Sequence, residues 1–402
     1  MLRPRPVLKA KPQRNRCERC GRSEPHRTLA IGFVPMFDCA VLIAAQELGL
    51  FAKHGLCVTL SREVGWATIR DKLLHEELTA AHAPVGTAFA MRCGIGMVAR
   101  PCLTGIILST NGSAITLSQE LWEKGVRDAE SLKALIDAER DRRIYSFGAA
   151  IELSTQNYLL RRWLERGGID PDRDVRIPIV PSPLIHRGMK DGHLDGYCVA
   201  EPWNSIAIRD GSGWVVATSA ETDPGQPEKA LLVLEKFDEE RREEHLAMIG
   251  ALIEAGLYCE QPSNRPELIR MLAQPRYLDV DESLLRNSLI GPFDTGRGRR
   301  AIGDFIVFGR EGANIPDRLK GRLTFKAIRR LRVAQSCKAL RPDVIGRIFR
   351  QDLFHEAGRR LALRERHAAD RTQGAPGDRA TDEPDGPDQP EPLFPKQLAL
   401  AG

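Results

Sequence analysis

The spacing of apolar residues changes repeatedly along the chain. Short apolar runs alternate with stretches of helical spacing, and this alternation predicts strands followed by helices. Residues 29–34 form a short apolar run that is typical of a buried strand, and residues 39–54 have helical character. Asp38 is expected to cap that helix, which Gly55 ends. Repetition of this strand–helix unit predicts an α/β sheet, whose ligands bind beyond the carboxyl ends of the strands.

The clearest unit of this kind lies between residues 154 and 204. Ser154 is expected to cap a helix over residues 155–166, whose first free N–H groups, near Gln156, form an anion site if they face a cleft. Farther on, a strand pattern changes at Ala200 into a helix start, since Pro202 is tolerated at a first helical position. We therefore expect a ligand near Ala200 and Glu201, and near Gln156 if its helix end faces the cleft.

Other segments complete the predicted order of elements. A helix begins near Gly65 with Trp66 in its first turn, where a tryptophan belongs either to the core or to a ligand wall. Further strands are predicted over residues 56–60, 80–84, 103–108, 143–147, 175–180 and 214–217. Further helices are predicted over residues 121–138, 239–259, 266–272 and 281–289, with helical pieces over 301–309 and 342–363.

The length of 402 residues exceeds what one hydrophobic core normally holds, so two lobes are expected. The polar turn at Asn111–Gly112 is where the chain is expected to cross to the second lobe. We predict lobe 1 over residues 28–112 and 223–365 and lobe 2 over residues 113–222. Residues 1–27 are expected to form a disordered basic arm, and residues 366–402, rich in Pro, Gly, Asp and Gln, a disordered tail.

Charge and cysteine content narrow the class of protein. The net charge of +5 is small for this length, and we expect no direct contact with nucleic acid. Most of the nine cysteines lie in apolar runs, a pattern that suits a reducing compartment. No run of about 18 apolar residues occurs, and charges interrupt residues 1–27 where a signal peptide has its apolar core, so we expect a cytoplasmic location.

One candidate metal motif lies near the amino terminus. Cys17 and Cys20 form a Cys-x-x-Cys pair followed by His26, but no second pair stands at usable spacing. A solvated basic arm is therefore favoured over a small metal-binding motif, and the sequence leaves both interpretations possible. The chain also has no nucleophile elbow, phosphate-binding loop or His-Glu-x-x-His motif, so we expect neither an enzyme nor a cofactor.

Several phrases of the chain, in their joint order, resemble the nitrate-binding proteins of ABC transporters and their bicarbonate-binding relatives. They include Trp66-x-x-x-Arg70-Asp71, Gly167-Gly168-Ile169-Asp170-Pro171, Cys198 to Asn204, and Pro227-Glu228-Lys229-Ala230. The resemblance covers residues 29–360. It implies an α/β, two-lobed periplasmic-binding-protein-like type II fold with a ligand cleft between the lobes.

The resemblance also implies a set of anion contacts, which fall on Trp66, Asn111, Gln156, Ala200 and Lys229. Two of them depart from the transporter pattern, which has histidine at Gln156 and glycine at Ala200. Lys229 stands where the bicarbonate-binding relatives have a carboxylate that helps to hold a metal. A lysine supplies charge to an anion and no metal ligand, so nitrate or nitrite is favoured over bicarbonate, unless Lys229 is a solvated surface lysine.

The expected absence of an export signal makes the chain more similar to the cytoplasmic nitrate sensors of the NasS type. That similarity implies a protein that holds an RNA-binding antiterminator of the ANTAR class and releases it when nitrate or nitrite binds. The alternative is the substrate-binding subunit of a nitrate ABC transporter, with the transporter permease as its partner. A pyrimidine-precursor synthase of the same fold is the weaker, enzymatic alternative.

Overall fold

The computed structural model describes residues 28–373, in which two β-sheets define two lobes. The sheet of lobe 1 has seven strands in the order β14–β5–β11–β3–β1–β2, with β4 also pairing with β11. Its strands are β1 (Leu29–Phe33), β2 (Val58–Arg62), β3 (Ala80–Pro84), β4 (Cys102–Leu103), β5 (Ile107–Asn111), β11 (Pro227–Leu234) and β14 (Ile306–Val307). Strand β1 is parallel to β2 and β3, whereas β11 is antiparallel to β3 and β5.

The sheet of lobe 2 has five strands in the order β10–β6–β9–β7–β8. They are β6 (Ser113–Ser118), β7 (Tyr145–Ala149), β8 (Val175–Arg176), β9 (Gly196–Ala200) and β10 (Gly213–Thr218). The chain enters this lobe between β5 and β6 through Asn111 and Gly112, both at positive φ, of 61° and 88°. It returns to lobe 1 as β11, so within residues 28–373 the chain crosses between the two sheets twice.

Helices cover both sheets. In chain order they are α1 (Ala40–Glu47), α2 (Leu50–Lys53), α3 (Trp66–Leu74), α4 (Gly86–Cys93), α5 (Gln119–Glu123), α6 (Ala129–Ala138), α7 (Thr155–Arg166), α8 (Ser182–Lys190), α9 (Trp203–Arg209), α10 (Ser219–Thr222), α11 (Glu235–Glu240), α12 (Arg242–Glu260), α13 (Arg265–Ala273), α14 (Glu282–Leu289), α15 (Arg318–Arg330), α16 (Arg332–Gln335), α17 (Val344–Ile348) and α18 (Gln351–Gln373). Short 3-10 turns stand at Phe37–Cys39, Pro262–Asn264 and Arg310–Gly312, and β12 (Phe293–Asp294) forms a hairpin with β13 (Arg299–Arg300).

Helix α7 shows how the sequence sets these elements. It spans the predicted residues, and the Ser154 hydroxyl accepts a hydrogen bond from the Asn157 N–H at 3.1 Å, which confirms the cap. Its apolar face, with Leu160 and Trp163, packs against Phe147 of β7 in the core of lobe 2. This packing fixes the amino-terminal end of α7 at the edge of the lobe.

The two lobes are in direct contact. The Phe37 N–H of lobe 1 donates to the Glu201 carbonyl of lobe 2 at 3.0 Å. Gly86, the first residue of α4, lies so close to lobe 2 that a Cβ atom there would stand 1.8 Å from the Leu153 carbonyl oxygen. No side chain larger than hydrogen fits that gap without movement of backbone.

Two C-terminal segments pack on lobe 2, which amends the assignment of residues 223–365 to lobe 1 alone. Asn287 of α14 donates to the Ser205 hydroxyl at 3.0 Å, and the Thr295 carbonyl accepts from the Val215 N–H at 2.9 Å. Ala327 of α15 belongs to the core of lobe 2. These segments therefore brace both lobes.

Other differences from the predicted elements have local causes. The helix expected over residues 39–54 is divided at Gly49, whose φ is +66°, and the one over residues 121–138 is divided into α5 and α6. Residues 301–309 include β14 instead of a helix, because they pair with the edge strand β5. Helix α18 continues to Gln373, past the expected start of the tail.

The ends of the chain lie outside the described residues. These are residues 1–27 and 374–402, so the predicted basic arm and most of the predicted tail stay predictions. The candidate metal motif of Cys17, Cys20 and His26 falls in the first of these segments.

Replacement of Gly86 by alanine is expected to force the lobes apart. The new methyl would collide with the backbone of Leu153, and overpacking of this kind destabilises by about 1–3 kcal/mol. Gly86→Ala should therefore lower the melting temperature and increase the radius of gyration measured by X-ray scattering. Gly346→Ala is the matched control, because no atom lies within 4 Å of its Cβ position. Equal values for the two variants would contradict the contact.

Candidate functional site

A buried lysine, Lys229 of β11, stands at the centre of a group of buried charges. The side chain of Lys229 is 0% exposed, and its ammonium lies 2.7 Å from the Asp38 carboxylate and 2.7 Å from the Glu228 carboxylate. His82 Nε2 lies 3.2 Å from the other oxygen of Asp38. Since each of these four side chains is buried, Lys229 is a member of an internal charge cluster and not a solvated surface lysine.

The backbone of β11 explains how two neighbouring residues reach the same cluster. Successive side chains of a regular strand point to opposite faces of the sheet. The pairing of β11 with β5, however, shifts register between Pro227 and Lys229 and again between Lys229 and Ala230. Such irregularities turn side chains away from the regular alternation, so that Glu228 and Lys229 can meet.

The protonation states follow from burial and from the nearest charges. Burial raises the pKa of Asp38, but Lys229 and His82 outweigh burial and leave that pKa at about 2. Burial raises the pKa of Glu228, and Lys229 opposes that rise only in part. Burial lowers the pKa of Lys229, yet the two carboxylates outweigh it and raise the pKa above its ordinary value.

His82 completes the cluster as a neutral group. Its pKa is lowered by burial, although Asp38 acts in the opposite direction. At neutral pH Lys229 is therefore charged and Asp38 is ionised. Glu228 loses its proton less easily than an ordinary glutamate does.

Trp66 lies against this cluster, at the first position of α3. Its ring centroid is 5.3 Å from the Lys229 ammonium nitrogen and 5.7 Å from the ring centroid of His82. A cation at that distance from an indole ring is attracted by its quadrupole. The indole Nε1 is buried and has no hydrogen-bond partner within residues 28–373. Trp66 is therefore both a buried residue and a wall of the site.

Gln156 and Ala200 approach the cluster from lobe 2. Gln156 is the second residue of α7, and its amide nitrogen donates to the Ser113 hydroxyl at 3.2 Å. Its amide oxygen is buried with no hydrogen-bond partner in the described part of the chain, and Gln156 also bonds to Glu228. Ala200 ends β9 and is the strand partner of Ser113. Both residues therefore adjoin Ser113 at the edge of lobe 2.

Asn111 has a different environment from the other four predicted contacts. Its side-chain nitrogen donates to the Asp304 carbonyl at 2.9 Å, and its side-chain oxygen accepts from the Gly225 N–H at 2.9 Å. Both ends of the amide therefore hold backbone where the chain crosses between lobes. The structure shows no side-chain hydrogen bond from Asn111 to Trp66, Gln156 or Lys229 among the residues it describes, and its role as an anion contact stays a prediction.

Sequence reasoning missed two acidic members of the site, Asp38 and Glu228. Asp38 was expected to cap a helix, but it lies in the 3-10 turn Phe37–Cys39, makes no capping bond and faces Lys229 instead. The signal that could have identified Glu228 was its position next to Lys229 in the chain. Glu201, which was named with Ala200 as a place for a ligand, is fully buried outside the charge cluster; one of its oxygens has no hydrogen-bond partner within the described chain, and burial raises its pKa to about 7.

None of the helices within residues 28–373 is long and apolar enough to cross a bilayer. In the same part of the chain, no group of three or more His, Cys, Asp or Glu side chains is placed to hold a metal ion.

Two lobes, each built on its own sheet, with buried polar side chains between them, define a periplasmic-binding-protein-like fold. The crystal structure of the periplasmic nitrate-binding protein NrtA from Synechocystis PCC 6803 matches this fold with a TM-score of 0.78 over 84% of this chain and 90% of that chain, at 22% identity. The alkanesulfonate-binding protein SsuA from Xanthomonas axonopodis matches with a TM-score of 0.56 over 77% and 96%, at 16% identity. The expected two-lobed fold class is thus confirmed.

The chain belongs to the NMT1-like family, which residues 22–273 match. It is 36% identical to the nitrate import ATP-binding protein NrtC of Synechocystis sp., over 83% of this chain and 50% of that protein. It is 30% identical to the nitrate/nitrite binding protein NrtA of Synechococcus elongatus, over 72% and 68%. The bicarbonate-binding protein CmpA of the same organism is 26% identical, over 84% and 79%.

The chain spans half the length or less of the ATP-binding relatives that it matches. The relatives that it matches over more of their length are named as nitrate/nitrite-binding and bicarbonate-binding proteins, and not as enzymes.

The charge cluster is expected to make stability depend on Asp38. Asp38→Asn removes one charged partner of a buried ammonium, and a hydrogen bond to a charged group contributes about 1.5–3 kcal/mol, so unfolding in urea should require that much less free energy. Asp71→Asn is the control, because Asp71 is 53% exposed and pairs with Arg70 on the surface. A loss no larger than that of the control would contradict the role of Asp38.

The same residue predicts a pH dependence with a definite sign. The pKa of Asp38 is about 2 in the folded protein and has an ordinary value of 3.8, so the folded state binds its proton less tightly. The stability that Asp38 contributes is therefore present above about pH 4 and is lost as the pH falls towards 2. The Asp38→Asn variant should show a smaller loss of unfolding free energy over that interval than the parent protein.

Proposed function

We propose that the cleft binds nitrate or nitrite and that the protein is the substrate-binding component of an import system for such an anion. The observation that carries the proposal is the fully buried Lys229, which lies between the lobes beside Trp66. Relatives named as nitrate/nitrite binding and nitrate import proteins support it. The chain itself supplies a cation where an anion needs one.

The donors around Lys229 suit a small anion that accepts several hydrogen bonds. An ammonium has three N–H donors, and the two carboxylates occupy two of them. The indole N–H of Trp66 has no partner within the described residues, and Gln156 stands in the first turn of α7, where backbone N–H groups and the helix dipole favour negative charge. These donors come from both lobes, so a bound anion would stabilise their contact.

Lys229 also favours nitrate or nitrite over metal-assisted bicarbonate. The resemblance places a metal-holding carboxylate at this position in the bicarbonate-binding relatives, and an ammonium cannot replace it as a metal ligand. Neighbouring Glu228 is held by Lys229 itself. The bicarbonate alternative would therefore require the loss of an existing ion pair.

A narrower proposal keeps the binding step and changes the partner. In it, the protein is a cytoplasmic sensor that holds an RNA-binding antiterminator of the ANTAR class and releases it when nitrate or nitrite binds. The contact between the lobes gives such a sensor its physical basis, because a partner that prefers separated lobes and an anion that prefers joined lobes weaken each other. The named relatives support the transporter proposal better than this one.

Calorimetry of the purified protein against nitrate, nitrite, bicarbonate and sulfate tests the binding step. Nitrate or nitrite is expected to bind, and Trp66→Phe, which keeps a ring but removes the N–H, should weaken binding by about 10- to 100-fold, the effect of one hydrogen bond to a charged group. Trp214→Phe is the matched control, because its buried indole N–H also has no partner in the described structure but lies in the lobe 2 core. Failure of every anion to bind would contradict the proposal.

Isolation of the tagged protein from fractionated cells, with and without nitrate, decides between the two partners. A transporter component is expected with permease or ATP-binding subunits outside the cytoplasmic fraction. A sensor is expected in the cytoplasm, in a complex with an antiterminator that nitrate weakens by about 5- to 150-fold, the usual range of allosteric coupling. A complex that nitrate leaves intact while calorimetry shows the anion bound would contradict the sensor proposal.

A further inference from the structure

The charges that surround Lys229 do not favour an anion by themselves. One ammonium faces two carboxylates at 2.7 Å each, and none of the three side chains is more than 1% exposed. With both carboxyls ionised the group carries one net negative charge, because His82 is neutral. An incoming anion would then meet a net charge of its own sign in a buried region, where repulsion is poorly screened.

We propose that the cleft takes up its anion together with one proton, that Glu228 holds this proton, and that the arrangement selects singly charged anions. This inference rests on the proposed function. A neutral Glu228 leaves the pair of Asp38 and Lys229 with no net charge, so a single negative charge can be added. A doubly charged anion would exceed what one proton compensates.

The geometry assigns the proton to Glu228 and not to Asp38. Asp38 lies within ion-pair distance of two groups that can carry positive charge, Lys229 at 2.7 Å and His82 Nε2 at 3.2 Å. Among the described residues Glu228 has one such neighbour, Lys229 at 2.7 Å, and otherwise the uncharged amide of Gln156. Of two carboxylates on one cation, the one with fewer neighbours of this kind protonates first.

The other groups packed around Glu228 do not supply the missing positive charge. They are Lys229 on its own strand, Asp38 on the 3-10 turn, Gln156 on α7 and Cys198 on β9; His82 on β3 faces Asp38 and Lys229. Burial raises the pKa of the Cys198 thiol well above its usual range, so Cys198 is neutral. Lys229 is therefore the only cation in this set, and it is already shared.

The sign of the coupling follows from linkage. A bound anion raises the pKa of Glu228 further, because it adds a negative charge beside the carboxyl. Binding then draws one proton from the buffer, and affinity falls as the pH rises through the interval between the two pKa values of Glu228, in the free and the bound protein. No bond other than the O–H of the carboxyl is formed or broken.

Calorimetric titration of nitrate in buffers that differ in ionisation enthalpy measures the protons taken up. The intact protein is expected to take up as much as one proton for each nitrate, and its affinity should fall by about tenfold for each pH unit within the coupled interval. Sulfate should not compete with nitrate. In Glu228→Gln, whose amide imitates the neutral carboxyl, nitrate should still bind, with no proton uptake and little dependence on pH.

Two further variants test the charge balance. Asp38→Asn should also bind nitrate without proton uptake, because the remaining pair of Glu228 and Lys229 has no net charge; this variant tests the excess carboxylate and not which carboxyl takes the proton. Glu201→Gln is the matched control: Glu201 is another fully buried carboxyl with a raised pKa, beside Ala200, and uptake should persist in this variant.

The outcomes distinguish this inference from the proposed function. Nitrate binding by the intact protein with no proton uptake at any pH would overturn the inference and leave the function standing. Uptake that persists in Glu228→Gln and disappears in Glu201→Gln would overturn it as well, since the proton would reside elsewhere. Failure of all anions to bind would overturn both. If Glu228→Gln does not fold, the proton count and the exclusion of sulfate in the intact protein decide the question.

Discussion

The ion pairs of Lys229 with Asp38 and Glu228 are the interaction on which the rest of the cleft depends. Asp38 lies in the turn that follows the first strand of lobe 1, and Lys229 lies in β11, the strand by which the chain returns to that lobe. A buried ammonium without an anion would be strongly destabilising, so the turn and the strand must stay together. The cluster therefore joins two parts of lobe 1 that lie on either side of lobe 2 in the sequence.

The two carboxylates have two effects on Lys229. The same carboxylates that hold Lys229 in a fixed position also neutralise it, so an anion receives a well-placed donor but little net attraction. The remaining attraction must come from groups that the cluster does not use, such as the Trp66 indole N–H and the first turn of α7. Because these come from different lobes, a tight fit depends on the contact between the lobes at Gly86 and Phe37.

The sequence predicted the parts of this arrangement that depend on local patterns. The cap of Ser154 and the bounds of α7 were correct, because capping and helical spacing involve residues a few positions apart. Asp38 was interpreted wrongly for the same reason. A carboxylate before an apolar stretch is the usual sign of a cap. The actual partner of Asp38 is Lys229, which lies on a strand that follows the whole of lobe 2 in the sequence. Only the fold brings those two residues together.

Asn111 and Ala327 show a second limit of local reasoning. Asn111 lies where a site residue was expected, yet both ends of its amide bond to backbone from distant parts of the chain, Asp304 and Gly225. Ala327 belongs to a helix, α15, that the sequence analysis did not predict, and it packs into the core of lobe 2 although it follows the return to lobe 1. Both residues therefore join parts of the chain that are far apart in sequence. A change in those segments can alter anion affinity without altering any of the groups around the lysine, because affinity here depends on how closely the two lobes meet.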